Sequence, residues 1–245
     1  MPGTGQMDVR GQVAVITGAS SGIGAVTARH MAEAGMHLVL AARDRTRLES
    51  LARELELLGV RILVVETDVT RQVEVDRLTR SSLEYFGAID VLFANAGRGI
   101  LGSIATGDPE LWAAGLDLNI NGTLRFLRAL VPHLMARKQG HVLLTGSIAG
   151  HTVGPNPVYN ASKWALRAIA EGLRQETSLH GVRVTLLSPG IVDTDFWANQ
   201  FGSQGQNNRP RDLGALAPED VAAAALYALS QPARAGVNEI LLRPG

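Results

Sequence analysis

The sequence predicts an α/β protein: a doubly wound sheet of seven mainly parallel strands with helices on both faces, a three-layer sandwich. Two observations carry this. Short apolar, β-branched runs alternate with helical periodicity along nearly the whole 245-residue chain, and repeated βα units at that pitch imply a parallel sheet. The glycine, asparagine and charged residues gather just after the strands, and ligands bind such sheets outside the carboxyl ends of their strands.

Composition narrows the function classes. Hydrophobic residues are 46% and charged residues 19%, as in an ordinary globular chain. Basic and acidic residues balance at 23 each, so no global charge points to nucleic acid or an anionic membrane. The absence of cysteine excludes disulfides, thiolate catalysis and cysteine–metal sites. Met1 to Gln12 lacks the apolar core of a signal peptide, and no apolar run is long enough to span a bilayer. A cytoplasmic location is the expectation. The six histidines are scattered, and no metal site is expected.

Val13-Ala14-Val15-Ile16 reads as a buried strand. It runs into Thr17-Gly18-Ala19-Ser20-Ser21-Gly22-Ile23-Gly24, and a helical pattern follows to Glu33, closed by Gly35. Glycines between a strand and a helix let the backbone approach a ligand, and the helix N-terminus offers free N–H groups to a phosphate. Tight packing alone is the competing explanation. A second strand, His37 to Ala42, ends at Arg43 where a ribose-binding acid is expected; Asp44 comes one place late. An arginine there suits a 2′-phosphate, or is simply a solvated loop charge.

The alternation continues. Helices are expected over Arg45–Leu58 and Glu74–Phe86, and strands over Arg61–Glu66, followed by Asp68 and Val69, and Ile89–Ala94, followed by Asn95-Ala96-Gly97. Pro109 to Lys138 reads as one long helix N-capped by Asp108. Inside it, Leu118-Asn119-Ile120-Asn121-Gly122 is poor helix and signals a local distortion. The fifth strand, His141–Thr145, places Ser147 just past its carboxyl end. The next helix carries Tyr159 and Lys163 and runs to about His180. Val182–Ser188 is the sixth strand, ending in Pro189-Gly190, and Val237–Leu242 the seventh, after a helix over Pro218–Ser230. The excursion from about 192 to 217 has the length of a binding lid.

Tyr159 and Lys163 are four residues apart, which on a helix places them on one face with Cβ atoms about 5–6 Å apart. A neighbouring ammonium favours phenolate, so the pair predicts a tyrosine of lowered pKa able to exchange a proton near neutrality. Alone, a Tyr-x-x-x-Lys is more often an ordinary helix surface.

Together, the Thr17–Gly24 turn, Asp68-Val69, Asn95-Ala96-Gly97, Asn119, Ser147, Tyr159-x-x-x-Lys163 and Pro189-Gly190 with Thr194 make the chain similar to the short-chain dehydrogenase/reductase family over nearly its whole length. The resemblance implies a single-domain Rossmann fold and hydride transfer between a nicotinamide cofactor and a carbonyl or secondary alcohol. It implies Tyr159 as general acid in reduction and general base in reverse. Lys163 would depress the tyrosine pKa and bind the nicotinamide ribose, Ser147 hold the substrate oxygen, and Asn119 hold a water leading to Lys163. Gly18, Ser20, Ser21, Gly22, Ile23 and Gly24 would carry the pyrophosphate, and Asp68 and Val69 flank the adenine. Asn95, Ala96 and Gly97 would line the cofactor. The Val192 backbone and the Thr194 hydroxyl would hold the carboxamide, with Pro189 and Gly190 also binding the cofactor.

Ala42 followed by Arg43 implies NADP(H), with help from Arg45 or Ser20, because Ala25 stands where many NADP-using members have a second basic residue. Expected substrate walls are Arg98, Gly99, His151, Val153, Phe196, Trp197 and Phe201, the aromatic trio suggesting a partly apolar pocket. The partners implied are a small carbonyl or alcohol substrate and further copies of the chain, as a homodimer or homotetramer. A regulator that binds NADP without turnover, and a non-redox dehydratase or epimerase, stay open as alternatives.

Overall fold

A computed structural model of the chain describes residues 7–196 and 214–245. Its seven strands are β1 (Val13–Thr17), β2 (His37–Ala42), β3 (Ile62–Glu66), β4 (Val91–Ala94), β5 (Gly140–Thr145), β6 (Val182–Pro189) and β7 (Glu239–Leu242). They form one sheet in the order β3-β2-β1-β4-β5-β6-β7, and every pairing is parallel. The order reverses at β1, which lies between β2 and β4, and a ligand crevice is expected above that switch point.

Helices α1 (Gly22–Glu33), α2 (Arg45–Glu56), α3 (Gln72–Phe86), α4 (Pro109–Leu116), α5 (Thr123–Arg137), α6 (Pro157–Thr177) and α7 (Pro218–Ser230) cover both faces. The two-residue period of each strand sorts its side chains between two cores. Ala14 and Ile16 join Leu38 and Leu40 against Ala28 and Met31 of α1, Leu48 of α2 and Val221 of α7. Val13 and Val15 join Val39 and Val184 against Leu78 of α3, Phe126 and Leu130 of α5 and Leu173 of α6. Strands buried on both faces explain why their sequences are continuous apolar runs rather than alternating ones.

The single helix expected from Pro109 to Lys138 is interrupted. Asp117–Gly122 forms a π-helical turn between α4 and α5. Asn119 supplies the reason: its buried side chain bonds across to the β4 exit rather than outward, and Gly122 sits against Val69 with no room for a side chain. The seventh strand begins at Glu239 rather than Val237. Among the described residues no helix is long and apolar enough to cross a membrane.

Candidate active site

The carboxyl ends of β1, β2, β4, β5 and β6 open onto one cavity of about 690 Å³. At its floor, β1 turns into α1 through Gly18, in a left-handed conformation with φ of 67°. A Cβ there would lie 2.9 Å from the Ala96 Cα, so the turn packs directly on the β4 exit. The first turn of α1 carries no acidic residue, and Ser21, its N-cap, makes no side-chain capping bond. That leaves helix N–H groups facing the cavity for an anion. Ser20, Ser21, Gly22 and Ile23 all line this wall.

Gly24 does not line it. A Cβ on Gly24 would fall 2.3 Å from the Gly18 carbonyl oxygen and 2.6 Å from Asn95 Nδ2, so this glycine is required for packing the helix onto the turn. Gly24→Ala is expected to cost about 1–3 kcal/mol through overpacking and to weaken cofactor binding with it. Thermal unfolding and a cofactor titration of the variant check this; an unchanged Tm would contradict it.

Asn95 ties the floor together. Its Nδ2 donates to the carbonyls of Thr17 (3.1 Å) and Gly18 (3.3 Å), and its Oδ1 accepts from Thr145 Oγ1 at 3.0 Å. Thr17 Oγ1 in turn accepts the Asn95 and Ala96 N–H groups, at 3.1 and 3.2 Å. One asparagine thus sets the spacing of β1, β4 and β5.

At the β2 end, Arg43 lines the cavity together with Asp44 and Arg47. Arg45, the expected helper, does not: its Nε binds Glu49 at 2.7 Å one helical turn on. Arg47 takes that place, and the sequence reading missed it. Asp44 is committed elsewhere, accepting the Arg47 N–H at 3.0 Å as the α2 N-cap and pairing with the Arg47 guanidinium at 3.3 Å. Asp68 and Val69 stand across from Arg43 at the β3 exit. Burial pushes the Asp68 carboxyl up, but hydrogen bonds from Thr70 and the charges of Arg43 and Arg71 leave it below its ordinary value.

The remaining wall combines Ser147, Tyr159 and Lys163 with Pro189, Gly190, Val192, Thr194 and Phe196. Ser147 caps a short 3-10 turn, its Oγ accepting the Ala149 N–H at 3.1 Å. The Ser147 hydroxyl is hydrogen-bonded to the Tyr159 phenol. Lys163 is only 6% exposed and donates from Nζ to the Thr145 carbonyl at 2.9 Å, with Nζ 5.8 Å from the Tyr159 ring centre.

The expected lowering of the tyrosine pKa is reversed. Burial pushes Tyr159 up to about 12, with the Ser147 hydrogen bond acting the other way. Burial also pushes Lys163 down to about 8. Desolvation is the largest cause of both shifts, where helical spacing alone suggested the charge pair.

Asn119 lies behind the cavity, 1% exposed. Its Oδ1 accepts the Arg98 N–H at 2.8 Å, and Nδ2 donates to the Arg98 carbonyl at 2.9 Å and to Ser162 Oγ at 3.2 Å. With both amide hydrogens used, the side chain braces the loop after Gly97 against α6. Its own backbone carbonyl accepts from Thr123 Oγ1 at 2.9 Å.

Two of the expected substrate-wall residues are not among those lining the cavity. His151 is not on the cavity wall; its Nε2 bonds Glu239 Oε1 at 2.6 Å. Val153, two residues on, is 81% exposed. In their stead, Thr152, Gly154, Pro155, Asn156 and Asn160 line this end. Asn160 shapes the loop by donating to the carbonyls of Ala149 (3.0 Å) and Thr152 (2.7 Å), and Asn156 accepts the Gly102 N–H at 3.2 Å. An asparagine directly before Pro157, at the start of the helix, was the available signal for Asn156. Arg98 and Gly99 lie beside the cavity without lining it. Trp197 and Phe201 lie outside the described residues, as does most of the expected lid. Its two ends are pinned together, with Asp193 N–H to Leu216 O at 2.8 Å and Leu216 N–H to Ile191 O at 2.9 Å.

A short chain dehydrogenase family model matches residues 12–205. An uncharacterised oxidoreductase of Staphylococcus saprophyticus is 40% identical over 242 residues, 97% of this chain and 99% of that protein. An alcohol dehydrogenase of the archaeon Thermococcus sibiricus, solved with 5-hydroxy-NADP, superposes with a TM-score of 0.86 at 34% identity over 95% of this chain and 96% of its own. A short-chain dehydrogenase/reductase of Burkholderia phymatum, solved with NAD, gives 0.85 at 30% identity over 96% and 90%.

Proposed function

As the chain belongs to the short-chain dehydrogenase/reductase family, we propose that it is an NADP(H)-dependent oxidoreductase interconverting a small carbonyl compound and its secondary alcohol. The observation that carries the reading is the convergence of Ser147, Tyr159 and Lys163 on the same cavity as the uncapped α1 N-terminus and the Gly18 turn. A phosphate-accepting wall and a proton-donating wall in one crevice suit a dinucleotide and a carbonyl side by side.

The residues present fit such a cofactor. The close backbone approach at Gly18 and the free amides of α1 suit a pyrophosphate. When bound, the nicotinamide cofactor supplies the hydride that reduces the carbonyl carbon. Ser147 Oγ and the Tyr159 hydroxyl hydrogen-bond the carbonyl oxygen and stabilise the charge that gathers there. Tyr159, held protonated, gives its proton to that oxygen and regains one from solvent. Lys163, bonded to the Thr145 carbonyl, keeps a positive charge beneath the phenol, offsetting the phenolate as the proton leaves. Asn119 keeps the β4 exit loop and α6 in register around this group.

Arg43 and Arg47 favour a 2′-phosphate, and Asp44 is occupied as a helix cap, so the usual acid for a free ribose 2′-hydroxyl is missing. The structural neighbours carry both cofactor types, so the choice rests on these residues. Charge-assisted hydrogen bonds contribute about 1.5–3 kcal/mol. Arg43→Ala is therefore expected to lower kcat/KM for NADPH by about 10–100-fold with little change for NADH, and Arg47→Ala to act in the same direction. Paired kcat/KM measurements check this; a wild-type preference for NADH, or an unchanged preference in Arg43→Ala, would overturn the assignment.

A further inference from the structure

We propose that Glu239, at the start of β7, is a positioning residue that holds the two halves of the reaction site in register: the Ser147 turn through His151, and the Pro189-Gly190 seat through Ser188. This rests on the reductase reading of the cavity. Glu239 Oε1 accepts two hydrogen bonds at once, from His151 Nε2 at 2.6 Å and from Ser188 Oγ at 2.7 Å. Its Oε2 faces the Arg167 Nε of α6 at 3.8 Å. A carboxylate only accepts, so Nε2 is the nitrogen of His151 that carries the hydrogen.

Each arm leads to the cavity wall within a few bonds. His151 closes the 3-10 turn that Ser147 opens: the His151 N–H donates to the Ile148 carbonyl at 2.9 Å, and the Gly150 N–H to the Ser147 carbonyl at 2.9 Å. The imidazole therefore anchors the turn whose first residue offers its hydroxyl to the cavity. Ser188 is fully buried and directly precedes Pro189-Gly190. It presses on the base of the same turn, since a Cβ on Gly146 would lie 2.9 Å from Ser188 Oγ, and the Gly146 N–H bonds the Leu187 carbonyl at 2.7 Å. The register pairs Leu186 with Glu239, which puts Glu239 diagonally beside Ser188 on one sheet face. Glu239 therefore bonds both the β5 exit turn, at His151, and the β6 end, at Ser188. Removing its carboxylate cuts the tie that runs from the Ser147 turn through His151 and Glu239 to Ser188 on β6.

The test uses full-length variants, with kcat, carbonyl KM, Tm and the fluorescence of bound NADPH as readouts. Small misplacements of reacting groups cost on the order of 10²-fold, so His151→Ala is expected to lower kcat about ten- to hundredfold. Cofactor affinity, KM and Tm should stay near wild type. His151→Gln, whose amide still donates to Glu239, should recover most of the rate. Glu239→Ala should lower kcat as much and also change bound-NADPH fluorescence through Ser188, whereas Glu239→Gln, still an acceptor, should do neither. Wild-type kcat in both alanine variants would overturn the proposal, as would a loss in His151→Ala that glutamine does not recover. A wild-type protein that oxidises no NADPH would instead defeat the reductase reading. The fluorescence then decides alone: an unchanged spectrum in Glu239→Ala overturns the positioning role, and a changed one supports it.

Discussion

Tyr159→Phe is expected to lower kcat for carbonyl reduction by about 10²–10⁴-fold, the range for a lost general acid, while leaving Tm and NADPH affinity close to wild type. The substitution keeps the ring and removes only the hydroxyl that meets Ser147. The direction of the pKa shift makes the effect asymmetric. With its pKa pushed up to about 12 by burial, the phenol holds its proton at every physiological pH, the form that reduction needs. Alcohol oxidation needs the phenolate, so its rate should climb with pH across the alkaline range, whereas reduction should be flat near neutrality. Steady-state rates in both directions at several pH values check this. A Tyr159→Phe variant that turns over normally would remove the proton-transfer role.

Lys163→Met is expected to act oppositely on activity and on stability. Removing an electrostatic stabiliser of a developing charge typically costs about 10²–10³-fold in kcat. Stability should rise. Burial holds Lys163 down at about 8, against 10.5 for an unburied lysine. Between those values the unfolded chain binds more protons than the folded one, so this group makes stability increase with pH through that window. Below about pH 8 its penalty is fully present, on the order of 3 kcal/mol, and methionine of similar length removes it. Leaving the Thr145 carbonyl without its donor returns part of that gain, about 1–3 kcal/mol. A Tm a few degrees above wild type at pH 7, with the difference shrinking toward pH 10, is the expected pattern. An equal or lower Tm at pH 7 would show that the buried ammonium is compensated.

Much of this was legible because the relevant signals are local. Strand and helix order follows from apolar periodicity. The glycine turn, Asn95, Ser147, Tyr159 and Lys163 follow strand ends or share a helix face, and the parallel sheet brings those ends to one rim. The Asn119 segment also announced itself, since two asparagines and a glycine are poor helix interior, although the sequence left open that the distortion would be a π-helical turn.

What was misread depended on distant partners. His151 is turned from the cavity by Glu239, 88 residues away, and nothing in its own neighbourhood reports that. The tyrosine pKa was misjudged because spacing reveals the lysine but not how far both groups are withdrawn from water. Arg45 is the instructive case: its Glu49 partner stands four residues on, a helical pair readable in the sequence, which would have directed attention to Arg47.

The reductase reading stands or falls on NADPH oxidation by the wild-type protein with a panel of small ketones and aldehydes, followed through the near-ultraviolet absorbance of NADPH. The expected result is carbonyl-dependent loss of that absorbance, abolished in Tyr159→Phe. Tight NADPH binding without oxidation by any carbonyl would contradict it and favour a protein that binds the dinucleotide without turning it over.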